Sequence, residues 1–225
     1  MCGRYNVIDD PLLRELMREL GVADVPATMV NVAPTETVPI VVATAAGRQL
    51  RYMRWWLTPS WSDGPSTRYS MFNAKSETVA ASRAFRNPFR RHRGIVPASS
   101  FIEWHTTPQG KQPWLIKPGS GAFAFAAIWD HWERDGVVLE SCALLTTAAV
   151  PGFARIHHRM PVMLGPEDFG AWLDPLAEIA DPAHFFTPRL PAPVTIAPLD
   201  RAVNNARNKS LALLQPVGAQ ETLAG

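Results

Sequence analysis

Phe123-Ala124-Phe125-Ala126-Ala127-Ile128-Trp129, then Asp135-Gly136, then Val137-Val138-Leu139-Glu140-Ser141-Cys142-Ala143-Leu144-Leu145-Thr146 is the stretch that decides the fold class. Phe123, Phe125, Ala127 and Trp129 alternate with Ala and Ile at the two-residue period of a strand. Asp-Gly is the dipeptide that a tight hairpin demands, because both central residues must take positive φ. The reading is two long antiparallel strands. Working outward, similar β-rich runs occupy 38–43, 50–57, 94–104 and 160–164. Helical patterns are fewer. Asp10 and Pro11 open one over 11–20, where Leu12, Leu13, Leu16, Met17 and Leu20 share a face before Gly21. An Ala-rich stretch over 77–86 predicts a second that stops before Asn87-Pro88. A third starts at Pro166-Glu167-Asp168 and ends before Pro175. The fold class expected is therefore α+β with a mostly antiparallel core. The chain reads as one domain over 1–213 followed by a frayed tail over 214–225.

The 225 residues contain 47% hydrophobic and 19% charged side chains, a globular composition that excludes disorder throughout. Proline is frequent, 21 residues scattered along the chain, which favours many short elements over long helices. No apolar run reaches the ~18–20 residues of a membrane helix, and the first 30 residues lack a signal-peptide core, so a cytoplasmic protein with no membrane partner is expected. Two cysteines cannot form a disulfide framework. The net charge of 22 − 20 = +2 decides nothing about partners. No HExxH or CxxC occurs and adjacent histidines have the wrong spacing for joint ligation, so neither metal nor cofactor is expected.

The chain begins Met1-Cys2-Gly3-Arg4. Removal of the initiator Met would leave Cys2 as a 1,2-aminothiol, whose amine and thiol titrate at about 8 and 8.5 and are each partly free nucleophiles at neutral pH. Toward an amide the thiolate attacks with the amine as base. Toward an aldehyde the amine forms a Schiff base and the thiolate closes a thiazolidine ring. Equally, position 2 can be a small buried residue. Asn73 is a polar step that can serve as a turn or cap. Glu103 stands among large apolar neighbours in Ser100-Phe101-Ile102-Glu103-Trp104, where burial would raise its pKa toward that of a general acid and base; an outward-facing position is the alternative. His157 and His158 lie where a strand begins, so at most one should face a site. Arg83, Arg86, Arg90, Arg91 and Arg93 form an acid-free run suited to phosphate or to plain solvation. Trp55, Trp56 and Trp61, near Arg51 and Arg54, suit either base stacking or the core.

Together, Met1-Cys2-Gly3-Arg4-Tyr5, Val32-Ala33-Pro34-Thr35, Arg54-Trp55, Pro59-Ser60-Trp61, Asn73-Ala74, Glu77-Thr78, the 101–104 motif, Thr146, His157, Arg159-Met160-Pro161 and Val203-Asn204 resemble the SOS response-associated peptidase (SRAP) family. That resemblance implies a barrel-like SRAP domain that captures abasic sites in single-stranded DNA as a thiazolidine crosslink through Cys2, freed of Met1. It implies catalytic roles for Asn73 in positioning, Glu103 in proton transfer and His157 in holding or protonating sugar oxygens. It implies DNA contacts by Arg4, Trp55, Trp61, Lys75, Arg83, Trp104 and Thr146. AP-lyase and self-cleaving peptidase activities, a monomeric state and association with the nucleoid complete the expectation. Three positions depart from the family pattern: Lys75 for Arg, which loses bidentate phosphate geometry; Trp56 for Gly; and Ile102 for an aromatic residue. The competing readings are an N-terminal-Cys amidohydrolase of the glutamine amidotransferase type and a non-covalent single-strand-binding module.

Overall fold

A computed structural model describes residues 2–179 and 181–224. In chain order the strands are β1 (Tyr5–Val7), β2 (Met29–Val32), β3 (Thr37–Thr44), β4 (Gly47–Arg54), β5 (Asn73–Lys75), β6 (Arg93–Ala98) and β7 (Ser100–Thr107). They continue with β8 (Gly110–Pro118), β9 (Phe123–Arg134), β10 (Val137–Ala148), β11 (Arg159–Pro161), β12 (Val194–Pro198) and β13 (Glu221–Leu223). The helices are short: α1 (Pro11–Glu19), α2 (Arg86–Arg91), α3 (Pro151–Ala154), α4 (Phe169–Leu173) and α5 (Ala183–Phe186). None of the described helices is long and apolar enough to cross a membrane.

The β9–β10 hairpin forms as its sequence requires, with Asp135 at φ 52° and Gly136 at φ 76° in its turn. β9 then pairs with β6, β6 with β3, β3 with β4, and β4 with β10, which closes a five-stranded barrel. The other sheet runs β13-β12-β8-β7-β1-β2 and is antiparallel throughout. The chain passes from barrel to sheet at Ser99, so the single run expected over 94–104 is two strands. There the Ser99 hydroxyl accepts from the Ile8 N–H at 2.9 Å, and the strand is free to turn the corner between sheets. Tyr5, Trp55, Phe101, Phe123 and Phe125 fill the space between the two sheets through edge-on and stacked contacts.

Four expectations need correction. Residues 77–85 are irregular, mostly turns, rather than helix; the helix begins at Arg86 and runs through Pro88. Pro88 is tolerated because it lies in the first turn, where an N–H has no intrahelical partner. The run over 50–57 leaves the strand after Arg54, where the Trp55 N–H turns to the Glu36 carbonyl at 2.8 Å. β11 is shorter than the 160–164 run, since only Arg159–Pro161 pairs with β10. The tail expected from residue 214 carries regular structure among its described residues: Glu221–Leu223 adds an edge strand to β12.

Candidate functional site at the barrel–sheet seam

Cys2 lies three residues before β1 starts at Tyr5, and the register of β1 on β7 fixes its neighbours. Tyr5 faces Phe101, and the Ile102 N–H donates to the Arg4 carbonyl at 2.9 Å. Extending that antiparallel register brings the chain start alongside Glu103. Glu103 is 3% exposed, which resolves the ambiguity of the sequence in favour of burial. Burial pushes its carboxyl above the ordinary glutamate range. The Cys2 thiol is fully buried and pushed up too, first by desolvation and next by the charge of Glu103. Its Sγ lies 3.9 Å from the Arg4 carbonyl.

Asn73 opens β5, whose three residues run parallel to Leu144–Thr146 of β10. That pairing aims the Asn73 amide at the chain start, and Nδ2 donates to the Cys2 carbonyl at 2.9 Å. Asn73 Oδ1 is buried without a hydrogen-bond partner among the described residues, so an acceptor waits beside Cys2. Cys2 on the segment leading into β1, Asn73 on β5 and Glu103 on β7 thus come to one place. Met1 lies outside the described residues, and so does the expectation about its removal.

His157 belongs to the next part of the same seam. It follows α3 and precedes β11, which pairs with β10 through Thr146↔Pro161, so β5 and β11 flank β10 at Thr146. The adjacent histidines do not face opposite sides of a strand. They precede β11 and stack on one another at 4.4 Å, His157 half-buried and His158 exposed. His157 Nδ1 lies 3.0 Å from the Arg159 N–H and 3.1 Å from the Arg159 carbonyl, so the main chain of Arg159 orients the ring. Burial lowers the His157 pKa to about 4, so the ring is neutral at pH 7. Arg159 is itself buried, with its guanidinium bonded to both Glu77 carboxylate oxygens and to the Thr146 carbonyl at 2.6 Å. That ion pair pulls the Glu77 pKa down to about 2.

The residues expected to touch DNA fall into two groups. Trp55 is fully buried, its Nε1 donating to the Phe72 carbonyl at 2.9 Å, and Thr146 is fully buried with its hydroxyl accepting from Arg159 at 3.2 Å. Both therefore support the seam from inside. Trp61 is 52% exposed, and the Arg83 guanidinium lies 4.2 Å over its ring. The pair lines a cleft of about 630 Å³ together with Pro59, Tyr69, Met71 and Ser82. Lys75 is exposed on β5. Trp104 and Arg4 form a second stacked pair at 5.6 Å; Trp104 Nε1 donates to Asn204 Oδ1 at 2.7 Å, and Arg4 donates to Asn31 Oδ1 and the Val203 carbonyl. Sequence reasoning gave no role to Asn31, which takes φ 53° and donates to the carbonyls of Val203, Asn205 and Asn208. A lone Asn in an apolar run carries no signal of such a hub. Among the described residues no three His, Cys, Asp or Glu side chains cluster as a metal site would require.

A family model described as SOS response associated peptidase (SRAP) matches residues 1–206. The chain belongs to the SRAP family. Its SRAP relatives include the abasic site processing protein YoqW of Bacillus subtilis (strain 168), 32% identical over 183 residues that cover 78% of this chain and 81% of that protein. Another is the abasic site processing protein YedK of Escherichia coli (strain K12), 30% identical over 234 residues, covering 96% of this chain and 100% of that one. A crystal structure of a protein from Bordetella bronchiseptica shares the fold, with a TM-score of 0.74 at 24% identity over 88% of this chain and 100% of its own.

Proposed function

We propose that this SRAP protein processes abasic sites in single-stranded DNA by trapping the sugar aldehyde on Cys2 after Met1 has been removed. The observation that carries the reading is the convergence of the Asn73 amide on the Cys2 carbonyl beside a buried Glu103, in a chain whose relatives are named for abasic-site processing. The Cys2 amine adds to the aldehyde carbon to give a carbinolamine. Glu103, whose burial favours the protonated form, gives its proton to the departing hydroxyl, which leaves as water with formation of an iminium. The resulting carboxylate takes the Cys2 thiol proton. The thiolate adds to the iminium carbon, the C=N electron pair returns to nitrogen, and the thiazolidine is complete with the net loss of one water. One carboxyl serves as acid and then as base, which suits a group whose pKa lies above the usual glutamate range. Asn73 Oδ1 is an acceptor for the amine. His157, neutral at pH 7, holds a sugar oxygen rather than protonating it.

Around this centre we assign the unpaired strand to the Trp61–Arg83 cleft and to Lys75, with the Arg4–Trp104 pair as a second contact. The setting is the cytoplasm, at the nucleoid, as a monomer in the SOS response to DNA damage, within a domain spanning 1–213. Lyase and self-cleaving activities draw on the same Cys2 and Glu103. Incubating purified protein with an abasic oligonucleotide tests the reading: a shifted band that survives heat and SDS is expected. Salt-sensitive binding without that band would favour the non-covalent module, and ammonia release from glutamine the amidohydrolase.

A further inference from the structure

Five arginines stand between 83 and 93 with no acid among them, and the fold divides them. Arg93 is buried, and its guanidinium gives all five N–H donors to main-chain carbonyls: Trp172 at 2.7 Å, Phe89 at 3.0 Å, Arg90 at 2.8 Å, Ala177 at 2.9 Å and Asp174. It fastens α2 to the end of α4 and has no donor left for a ligand. The other four point outward. The Arg86 N–H donates to the Ser82 carbonyl at 2.9 Å and the Phe89 N–H to the Phe85 carbonyl at 2.8 Å, so the turn over 82–85 continues the winding of α2. On that winding Pro88 and Phe89 face the core with Phe85 partly buried beside them, and the spacing i, i+3, i+7 puts Arg83, Arg86 and Arg90 together on the outer face, all exposed. Among the described residues none of Arg83, Arg86, Arg90 and Arg91 forms an ion pair, although Glu178 lines the hollow beside Arg90 and Arg91. The exposed arginines of α1 behave differently, Arg14 holding Asp9 and Arg18 holding Glu15.

We infer that the outer face of α2 is a phosphate track, along which Arg86 and Arg90 hold the backbone of the single strand where it leaves the Trp61–Arg83 cleft. The inference rests on the single-strand-binding part of the proposed function. Two features select this occupant. Unpaired cations at one helical spacing complement a polyanion, and the face is continuous with the cleft, because Arg83 opens it while its guanidinium covers Trp61. At 1.5 Å per residue Arg83 and Arg90 are about 10 Å apart along the winding, the length of about three nucleotides at about 3.4 Å each. A guanidinium fork takes phosphate oxygens without reading bases, so the track grips any sequence.

The test titrates the full chain with an undamaged single-stranded oligonucleotide over a series of salt concentrations. Arg86→Gln with Arg90→Gln should weaken binding roughly tenfold at low salt and make the slope of log K against log salt shallower by about 1.4, two phosphates at about 0.7 each. Arg86→Lys with Arg90→Lys, which keeps both charges, should restore most of that slope. Arg14→Gln with Arg18→Gln removes the same charge from α1 and should leave the slope as it is, because exposed charges far from the strand are screened. A slope unchanged by the α2 pair, lowered equally by the α1 pair, or not restored by lysine overturns the inference, and so does a wild type that fails to bind the undamaged strand. A wild type that binds it yet forms no crosslink on an abasic oligonucleotide sinks the aldehyde-trapping reading instead, while the salt slopes still decide the track.

Discussion

Trp55 and Trp61 are six residues apart and meet opposite fates. Trp55 is sealed between the sheets against Tyr5 and Phe72, whereas half of Trp61 faces solvent under an arginine. The contrast divides the whole molecule. The seam that holds Cys2, Asn73 and Glu103 is dry, and dryness is what moves its thiol and carboxyl upward. The Trp61–Arg83 cleft is open, and its cation over an aromatic face suits a base and a phosphate. On the proposed function, chemistry and grip belong to different surroundings and should be separable by mutation.

The largest separation is expected from Cys2→Ala, which should abolish the heat-stable band while leaving affinity for intact single strands within about twofold, since the amine alone forms only a hydrolysable Schiff base without the thiol that closes the ring, and the cleft is untouched. A residual band would break the division. Glu103→Gln comes next: crosslinking should slow by about 10²–10⁴-fold, the usual worth of a positioned acid–base group, again with little loss of binding. Equal losses in both would make Glu103 a purely structural residue. The two tryptophans give the sharpest paired test. Trp55→Ala should cost about 3–5 kcal/mol of stability by opening a cavity, visible in denaturant unfolding. Trp61→Ala should leave stability within about 0.5 kcal/mol yet weaken single-strand binding by about 1–3 kcal/mol through lost stacking.

The smallest effect is a slope in stability against pH. His157 has a folded pKa of about 4 against the ordinary 6.5, so between these values the unfolded chain binds a proton that the folded one does not. Its contribution is complete above about pH 6.5 and shrinks as pH falls toward about 4. Glu103 works the other way: its raised pKa favours the folded state at low pH, and that contribution is lost as pH rises through the folded value. His157→Asn should flatten the acid limb of a stability profile, and Glu103→Gln the limb above it. A profile identical to wild type in both variants would contradict the assigned burial.

Much of the barrel was legible because its longest hairpin carries two unambiguous signals, alternation over Phe123 to Trp129 and the Asp135-Gly136 turn. β5 was not, because three residues hold no periodicity and Asn73–Lys75 becomes a strand only through its pairing with β10. The Ala-rich segment over 77–86 misled because local propensity suggested a helix, while Glu77 is committed to Arg159 across the sheet. In the site, Cys2 was legible from its chemistry and Glu103 only half so: its apolar neighbours allowed burial, but the register of Tyr5 on Phe101 was needed to place it beside Cys2. The Arg4–Asn31–Val203 link joins residues nearly two hundred positions apart, and no single-sequence pattern reports such a contact.

The most direct test of the central claim is the intact mass of the product formed with an abasic oligonucleotide. The account predicts a species equal to the Met1-free protein plus the oligonucleotide less one water, absent from the Cys2→Ala variant. A product that retains Met1, or one that forms equally without the Cys2 thiol, would contradict it.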